Sequence, residues 1–501
     1  MAISATAVIL ALLTLAPISC RRPAPLPSRL VVVYPAAAPY EVALTNNVLE
    51  SLVRMDDAGN LRPGMAQRWY NPDELSWVFE LRDGLRRHDG KAVTAADVVE
   101  VLGIDKSQPF LSELAKPLER IEALDERRLR IRTRYAFGPL AHYLTWVAIR
   151  FSATPQGKRT LGTGPYRIVS WEEGKRLELA AFEGYSGGAP AIASASFVVV
   201  NDSRERVRQI EIGAAHLALD VSHRDLPELA RNPRARLDTR RGVRLLFLGL
   251  DCARPRSPHV STLRNPFTDV RVRRAVARAI DRSALVREAL GGQGEVAART
   301  WETETQGPGA AEGEPFDPAS ARSLLAEAGF GDGFTVKLDY TQGRLRDADL
   351  VVQRLRTDLA QVGITVEPHP APDLIKRLRG SDTALFLSRA QLAPAEIDLH
   401  FSYFVHTRNG EYGALNAGGY SDPEVDAWIE EAFRTSGPEE RGRLMSQVAA
   451  RVARDLPMIP LVVPNDLYAT DRQLDFRPRA DRRVELSDLR WQGGVSAGAS
   501  R

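Results

Sequence analysis

The spacing of apolar residues predicts an α/β protein built as two or three lobes. Three observations carry that expectation. At 501 residues the chain is too long for one ordinary core. From Leu245 onward, short apolar runs alternate with helices whose apolar residues recur every three or four positions, as layered strands and helices require. The helices of that half also carry their own start and stop chemistry. Asp317-Pro318 and Asp422-Pro423 open two of them, and Gly329 and Gly363 close two, following the preference for Pro at the first turn and Gly past the last.

Taken in order, Leu30 to Tyr34 is β-branched and apolar and reads as a strand. Asn47 to Met55 has a helical period. Trp77 to Leu81 and Leu129 to Thr133 alternate as half-buried strands do. Between them, Asp83-Gly84 and Asp89-Gly90 are turns. Thr94 then caps a helix, with Asp97 as the acid of its first turn. Gly162-Thr163-Gly164-Pro165 is a turn leading into a strand, Tyr166 to Trp171, which returns as Lys175 to Ala180 around Glu173-Gly174. Phe197 to Val200, Leu217 to Leu219 and Leu245 to Leu250 are further strands, with a helix from Glu205 to Ile212. Asp269 caps a helix that presents Val272, Val276 and Ile280 on one side. Phe334 to Leu338 is a strand, Leu350 to Val362 a helix, and Ile364 to Val366 the next strand. A long helix, Arg441 to Arg454, runs into the buried strand Pro457 to Val463.

Composition excludes several classes. With 67 basic and 64 acidic residues the net charge is +3, so nothing calls for nucleic acid. Two cysteines cannot build a disulfide framework or thiolate metal cluster. No phosphate-binding loop is present, and no stretch after the leader is long and apolar enough to span a bilayer. Gly184-Tyr185-Ser186-Gly187-Gly188 has the spelling of a nucleophile elbow, but that motif needs a helix after it and Ala189-Pro190 follows. His400 and His406 lack an ordered set of co-ligands. Neither a catalytic residue, a metal site nor a cofactor is expected. The leader is another matter. Ala5 to Ile18 is apolar but short, as in a signal peptide. Ala16-Pro17-Ile18-Ser19-Cys20 resembles a bacterial lipoprotein cleavage box. That resemblance makes 1–20 the signal peptide, Cys20 the acylated residue and 21–29 a tether.

Several short segments, in order, have a family's spelling. Leu49-Glu50-Ser51-Leu52-Val53 and Leu61-Arg62-Pro63-Gly64-Met65-Ala66 open the series. Leu81-Arg82-Asp83-Gly84 through Val98, Gly162-Thr163-Gly164-Pro165-Tyr166 and Tyr185-Ser186-Gly187-Gly188-Ala189-Pro190 follow. Pro266-Phe267-Thr268-Asp269-Val270-Arg271-Val272-Arg273, Ala279-Ile280-Asp281-Arg282, Tyr420-Ser421-Asp422-Pro423 and Leu456-Pro457-Met458-Ile459-Pro460 complete it. Together they resemble the family 5 solute-binding proteins of bacterial ABC importers, the peptide- and nickel-binding group.

The resemblance implies a type II periplasmic-binding-protein-like fold: two α/β lobes joined by hinge strands, with a third subdomain inserted. It assigns 30–50, 163–250 and 470–501 to the first lobe, 51–162 to the inserted subdomain and 251–469 to the second lobe. It implies an extracytoplasmic, monomeric binder, lipid-anchored in the periplasm or on the outer face of the cytoplasmic membrane. Such a binder closes on a solute and delivers it to permease subunits. Peptides are the first expectation for the solute. The alternatives are an oligosaccharide, an opine-like conjugate or a metal chelate, or a chemoreceptor or chaperone role on the same scaffold. In the family, an aspartate on the second lobe holds a peptide's ammonium, because a buried cation needs a charged partner. Alignment on Pro394 puts Ala390 at that place with Arg389 beside it, while a shift brings Glu396 or Asp398 there. A cationic Arg389 suits an anionic or polyhydroxylated ligand. By the same likeness, Arg408 and Tyr412 sit near the cleft mouth, ready to pair with a carboxylate and to stack. Tyr34 lines the cleft from the first strand, and Trp301 is a weaker candidate.

Overall fold

The computed structural model describes residues 28–36, 41–56, 59–102, 115–152, 160–297, 313–341, 346–391, 397–435 and 437–492. Two large sheets organise it. A seven-stranded sheet runs in the order Tyr166–Glu172, Arg176–Ala181, Ser194–Val199, Leu30–Tyr34, Leu217–Ala218, Asp466–Asp471, Ala235–Arg240. A six-stranded sheet runs Gly294–Val296, Met458–Pro464, Arg244–Leu250, Leu385–Gln391, Phe334–Tyr340, Ile364–Pro370. A four-stranded antiparallel sheet, ordered Ala66–Asp73, Ser76–Leu81, Arg128–Thr133, Leu118–Ala123, is inserted in sequence between Leu30–Tyr34 and Tyr166–Glu172 of the seven-stranded sheet.

The helices form where their caps say they should. Thr94 and Asp97 close a reciprocal capping box on Ala95–Val101, satisfying two orphan N–H groups at once. Asp269, Asp317 and Asp422 each accept from first-turn N–H groups of Val270–Ala279, Pro318–Glu327 and Pro423–Arg434. Three helices, Val270–Ala279, Pro318–Glu327 and Ala348–Ala360, cover one face of the six-stranded sheet, burying Val276, Leu325 and Leu355 against Leu246, Leu248 and Leu387. The opposite face, with Phe247 and Phe386, joins Pro423–Arg434 and Pro438–Asp455 in a core that continues into the four-stranded sheet through Phe79 and Ile131. The join is direct: Phe137 stacks on Phe433 with ring centroids 5.9 Å apart.

The structure corrects two readings. Asn47 to Met55 is not a helix. It forms a turn about Asn46, at φ 64°, and the short strand Val53–Met55. Its apolar residues imitate a helical period because the segment is buried on several sides, while the Asn47 amide ties it to the carbonyls of Ala43 and Val484. The lobe limits also move. Arg244–Leu250, assigned above to the first lobe, pairs in the six-stranded sheet. Residues 466–469, assigned to the second, pair in the seven-stranded sheet.

These two shifts locate the hinge. The chain crosses between the large sheets at 241–243, and again at Asn465, the single residue between Met458–Pro464 and Asp466–Asp471. The crossings touch: a Cβ on Gly242 would lie 1.9 Å from the Pro464 carbonyl oxygen.

Candidate functional site

Ligands of α/β sheets gather at the carboxyl ends of their parallel strands. Here those ends face the hinge from both sides. Phe334–Tyr340 and Leu385–Gln391 run parallel, and Arg389 stands two residues before the end of the second. From the other sheet, Leu217–Ala218 ends beside Asp220. Between them is a cavity of about 40 Å³ lined by Asp220, Arg244, Leu246, Arg346, Arg389, Pro464, Asn465 and Asp466. That holds a few waters or one small polar end group.

The charges around it are tightly arranged. Arg482 donates to Asp220 at 2.6 Å and lies 2.7 Å from Asp466. Arg244 reaches Asp466 at 3.2 Å, and Arg346 donates to the Asn465 carbonyl at 2.6 Å. Burial, countered in part by Arg244, pushes the Asp466 carboxyl up to about 6. Three arginines, Arg244, Arg346 and Arg389, and two aspartates thus line one cavity, and Arg482 pairs with both of those acids. Asp220, Asp347 and Arg482, all in or beside this network, have φ of 56°, 56° and 61°. Left-handed non-glycine residues are costly and persist where the surroundings hold them.

A further arginine builds the first-lobe wall. Arg206 is buried on Ser203–Glu211 and donates to the carbonyls of Val200, Asn201, Leu219 and Asp220. One guanidinium thus fastens the ends of two parallel strands where they meet the cavity.

The residues expected from sequence fare differently. Arg389 lines the cavity, opposite Leu246 in the strand register. Ala390, at the place of the family's aspartate, is buried in the core. Asp398 is buried too; its carboxyl is pushed up to about 6 by burial, and Arg441 lies 3.4 Å away. It serves helix packing and does not line the cavity. Arg408 does not await a carboxylate: it donates to the carbonyls of Leu378, Arg379, Gly413 and Asn416. Tyr412 stacks on His406 at 4.4 Å, with the Lys116 ammonium 5.0 Å from its ring. Tyr34 is a core residue, edge-on to Phe197. Glu396, Trp301 and Cys20 lie outside the described residues. Ser186 sits in a turn with no helix after it and accepts from Arg82. Among the described residues no three His, Cys, Asp or Glu side chains gather to hold a metal, and no helix is long and apolar enough to cross a membrane.

Sequence reasoning missed Asp220, Arg244, Arg346, Asp466 and Arg482. One signal was available. Pro464-Asn465-Asp466 interrupts two apolar runs, marking a crossing between sheets.

Two α/β lobes hinged at two short crossings, with a charged cavity at the hinge, define a protein that holds a solute between its lobes. The chain belongs to the bacterial extracellular solute-binding proteins, family 5, whose middle-region model matches residues 60–412; these are the solute-binding components of ABC importers. It is 25% identical over 455 residues to the glutathione-binding protein GsiB of Escherichia coli K12, covering 86% of each chain. Among solved structures it is similar in fold to NikA of Staphylococcus aureus in complex with Ni(L-His)2 (TM-score 0.77, 21% identity, 91% of this chain and 98% of that one). DppA of Helicobacter pylori in complex with the peptide STSA is similar as well (TM-score 0.78, 18% identity, 93% and 98%).

Proposed function

We propose that the solute is small and peptide-like, and that it is held by a carboxylate rather than by its ammonium. The observation that carries this is the convergence of Arg244, Arg346 and Arg389 on the hinge cavity. The planar guanidinium fork matches a carboxylate in two-point contact. Ala390, where the family's aspartate is expected, offers nothing to an ammonium. Relatives whose names specify glutathione, a carboxylate-bearing tripeptide, and a peptide support the same class. Nickel–histidine, with which NikA is in complex, is the second reading, since a chelate of amino acids also presents carboxylates. The action is closure: a solute touching both lobes favours the state in which they meet. No covalent step is called for.

The test is a thermal-shift and calorimetric series with glutathione, the peptide Ser-Thr-Ser-Ala, its C-terminal amide and nickel–histidine, beside mass spectrometry of what co-purifies. Arg389→Ala should weaken the best of these by about 2 kcal/mol or more, roughly thirty-fold. Equal binding of the amide and the free acid would sink the carboxylate reading.

We further propose that the chain works outside the cytoplasm as a monomer anchored through Cys20. Stable anchoring needs more than one acyl chain, which a mature bacterial lipoprotein carries. Expressed in a bacterial host, the protein should incorporate labelled palmitate and sediment with membranes, and Cys20→Ala should abolish both. Unlabelled protein that stays soluble would refute the anchor.

A further inference from the structure

Asp347 sits at the N-cap position of Ala348–Ala360, yet its side chain does not cap that helix. Of seven other aspartates in that position among the described residues, Asp202, Asp269, Asp281, Asp317 and Asp422 accept from their own helix's N–H groups, while Asp225 and Asp373, on helices of four and six residues, do not. Asp347 instead holds a left-handed φ of 56° and turns toward the other lobe. There Ser222 donates to Oδ1 at 2.8 Å and His223 Nδ1 donates to Oδ2 at 3.0 Å. Although burial alone would raise it, these bonds bring the Asp347 carboxyl below its ordinary value.

Both partners are held in place. The Ser222 N–H donates to Ser203 Oγ at 2.8 Å. The His223 ring lies on second-lobe backbone: a Cβ added to Gly291 would come within 2.4 Å of its Cδ2. The adjacent Arg346 bonds the hinge carbonyl of Asn465 at 2.6 Å and lies 4.0 Å from Asp220. The cavity lining includes none of Ser222, His223 and Asp347.

We infer that Ser222, His223 and Asp347 form an interlobe latch that stabilises the closed arrangement independently of the solute. A forgone helix cap and a left-handed backbone are both unfavourable for the second lobe alone. What they gain is a charge-assisted pair of bonds across the cleft. The latch therefore sets how often the lobes meet before any solute adds its own contacts. It goes beyond the solute assignment and does not depend on it.

The test needs no solute. Spin labels are placed at Ile212, exposed on the first lobe, and Leu263, exposed on the second, by Ile212→Cys and Leu263→Cys in full-length protein lacking Cys20 and Cys252. Asp347→Gly removes the carboxylate and suits the positive φ, so the fold is kept. The distance distribution should shift to longer separations in Asp347→Gly, and equally in Ser222→Ala/His223→Ala. The three changes together should shift it no further, as one shared interaction requires. An unchanged distribution, or shifts that simply add, would overturn the latch. If Asp347→Gly unfolds, Asp347→Asn is read in the same way. Because no ligand is used, failure of Arg389→Ala to weaken binding would refute the solute site and leave this result standing.

Discussion

Gly162→Ala should destabilise the folded protein severely. The new methyl carbon would lie 1.8 Å from the carbonyl oxygen of Val48 and 2.7 Å from its carbon. These are backbone atoms and cannot swing aside. The surroundings are fixed as well: Gly164 stands against the Asn47 carbonyl in the same manner, and the Gly164 N–H donates to the Val48 carbonyl at 3.1 Å. His88 clamps the loop from outside, accepting from the Gly162 N–H at Nδ1 (3.2 Å) and donating from Nε2 to the Gly164 carbonyl (3.0 Å). Burial brings the His88 ring down to about 4, so it stays neutral and keeps one nitrogen as an acceptor. Relieving the clash means pulling the 162–165 loop off the 47–49 turn, at a cost of at least about 3 kcal/mol. Against a whole-domain stability of roughly 5–15 kcal/mol, that removes about a fifth to three-fifths of the total or more. Urea unfolding followed by circular dichroism measures it. A midpoint within experimental error of the parent would contradict the packing described here.

Arg282→Lys should be nearly as damaging, although it keeps the charge. Arg282 is buried, donating Nε–H to the Pro460 carbonyl at 2.8 Å and Nη1–H to those of Ala277 and Glu314 at 3.0 and 3.2 Å. Burial brings its guanidinium down to about 10. A lysine ammonium is a compact, strongly hydrated charge without the planar fork, so it cannot span three carbonyls and leaves some unpaired. Each buried orphan costs about 1–3 kcal/mol, and the expected loss is about 3–5 kcal/mol by the same unfolding measurement. Should Arg282→Lys lose less than about 1 kcal/mol, the carbonyls do not depend on the fork.

Much of the fold is legible in the chain because its signals are local. The capping box at Thr94 and Asp97 and the aspartate caps at 269, 317 and 422 depend on residues two or three positions apart. A reader of sequence sees both members. Asn47 to Met55 failed for the opposite reason, since its turn is held by Val484, far along the chain. The site follows the same division. Arg389 stood out because it departs from the family's spelling, and it does line the cavity. Arg408 misled because a lone arginine in a loop says nothing of its partners, and here they are four backbone carbonyls. Asp220, Asp347 and Arg482 are marked by a backbone angle, which residue identity does not disclose outside glycine.

The contact between Gly242 and the Pro464 carbonyl has a mechanical meaning. Two crossings pressed together, one of a single residue, leave the lobes little slack to slide past each other at that place, so what they can do is turn about it. The far ends of the lobes then travel furthest for a given turn, and the rim of the cleft is where a membrane partner would read the difference between an open and a shut binder.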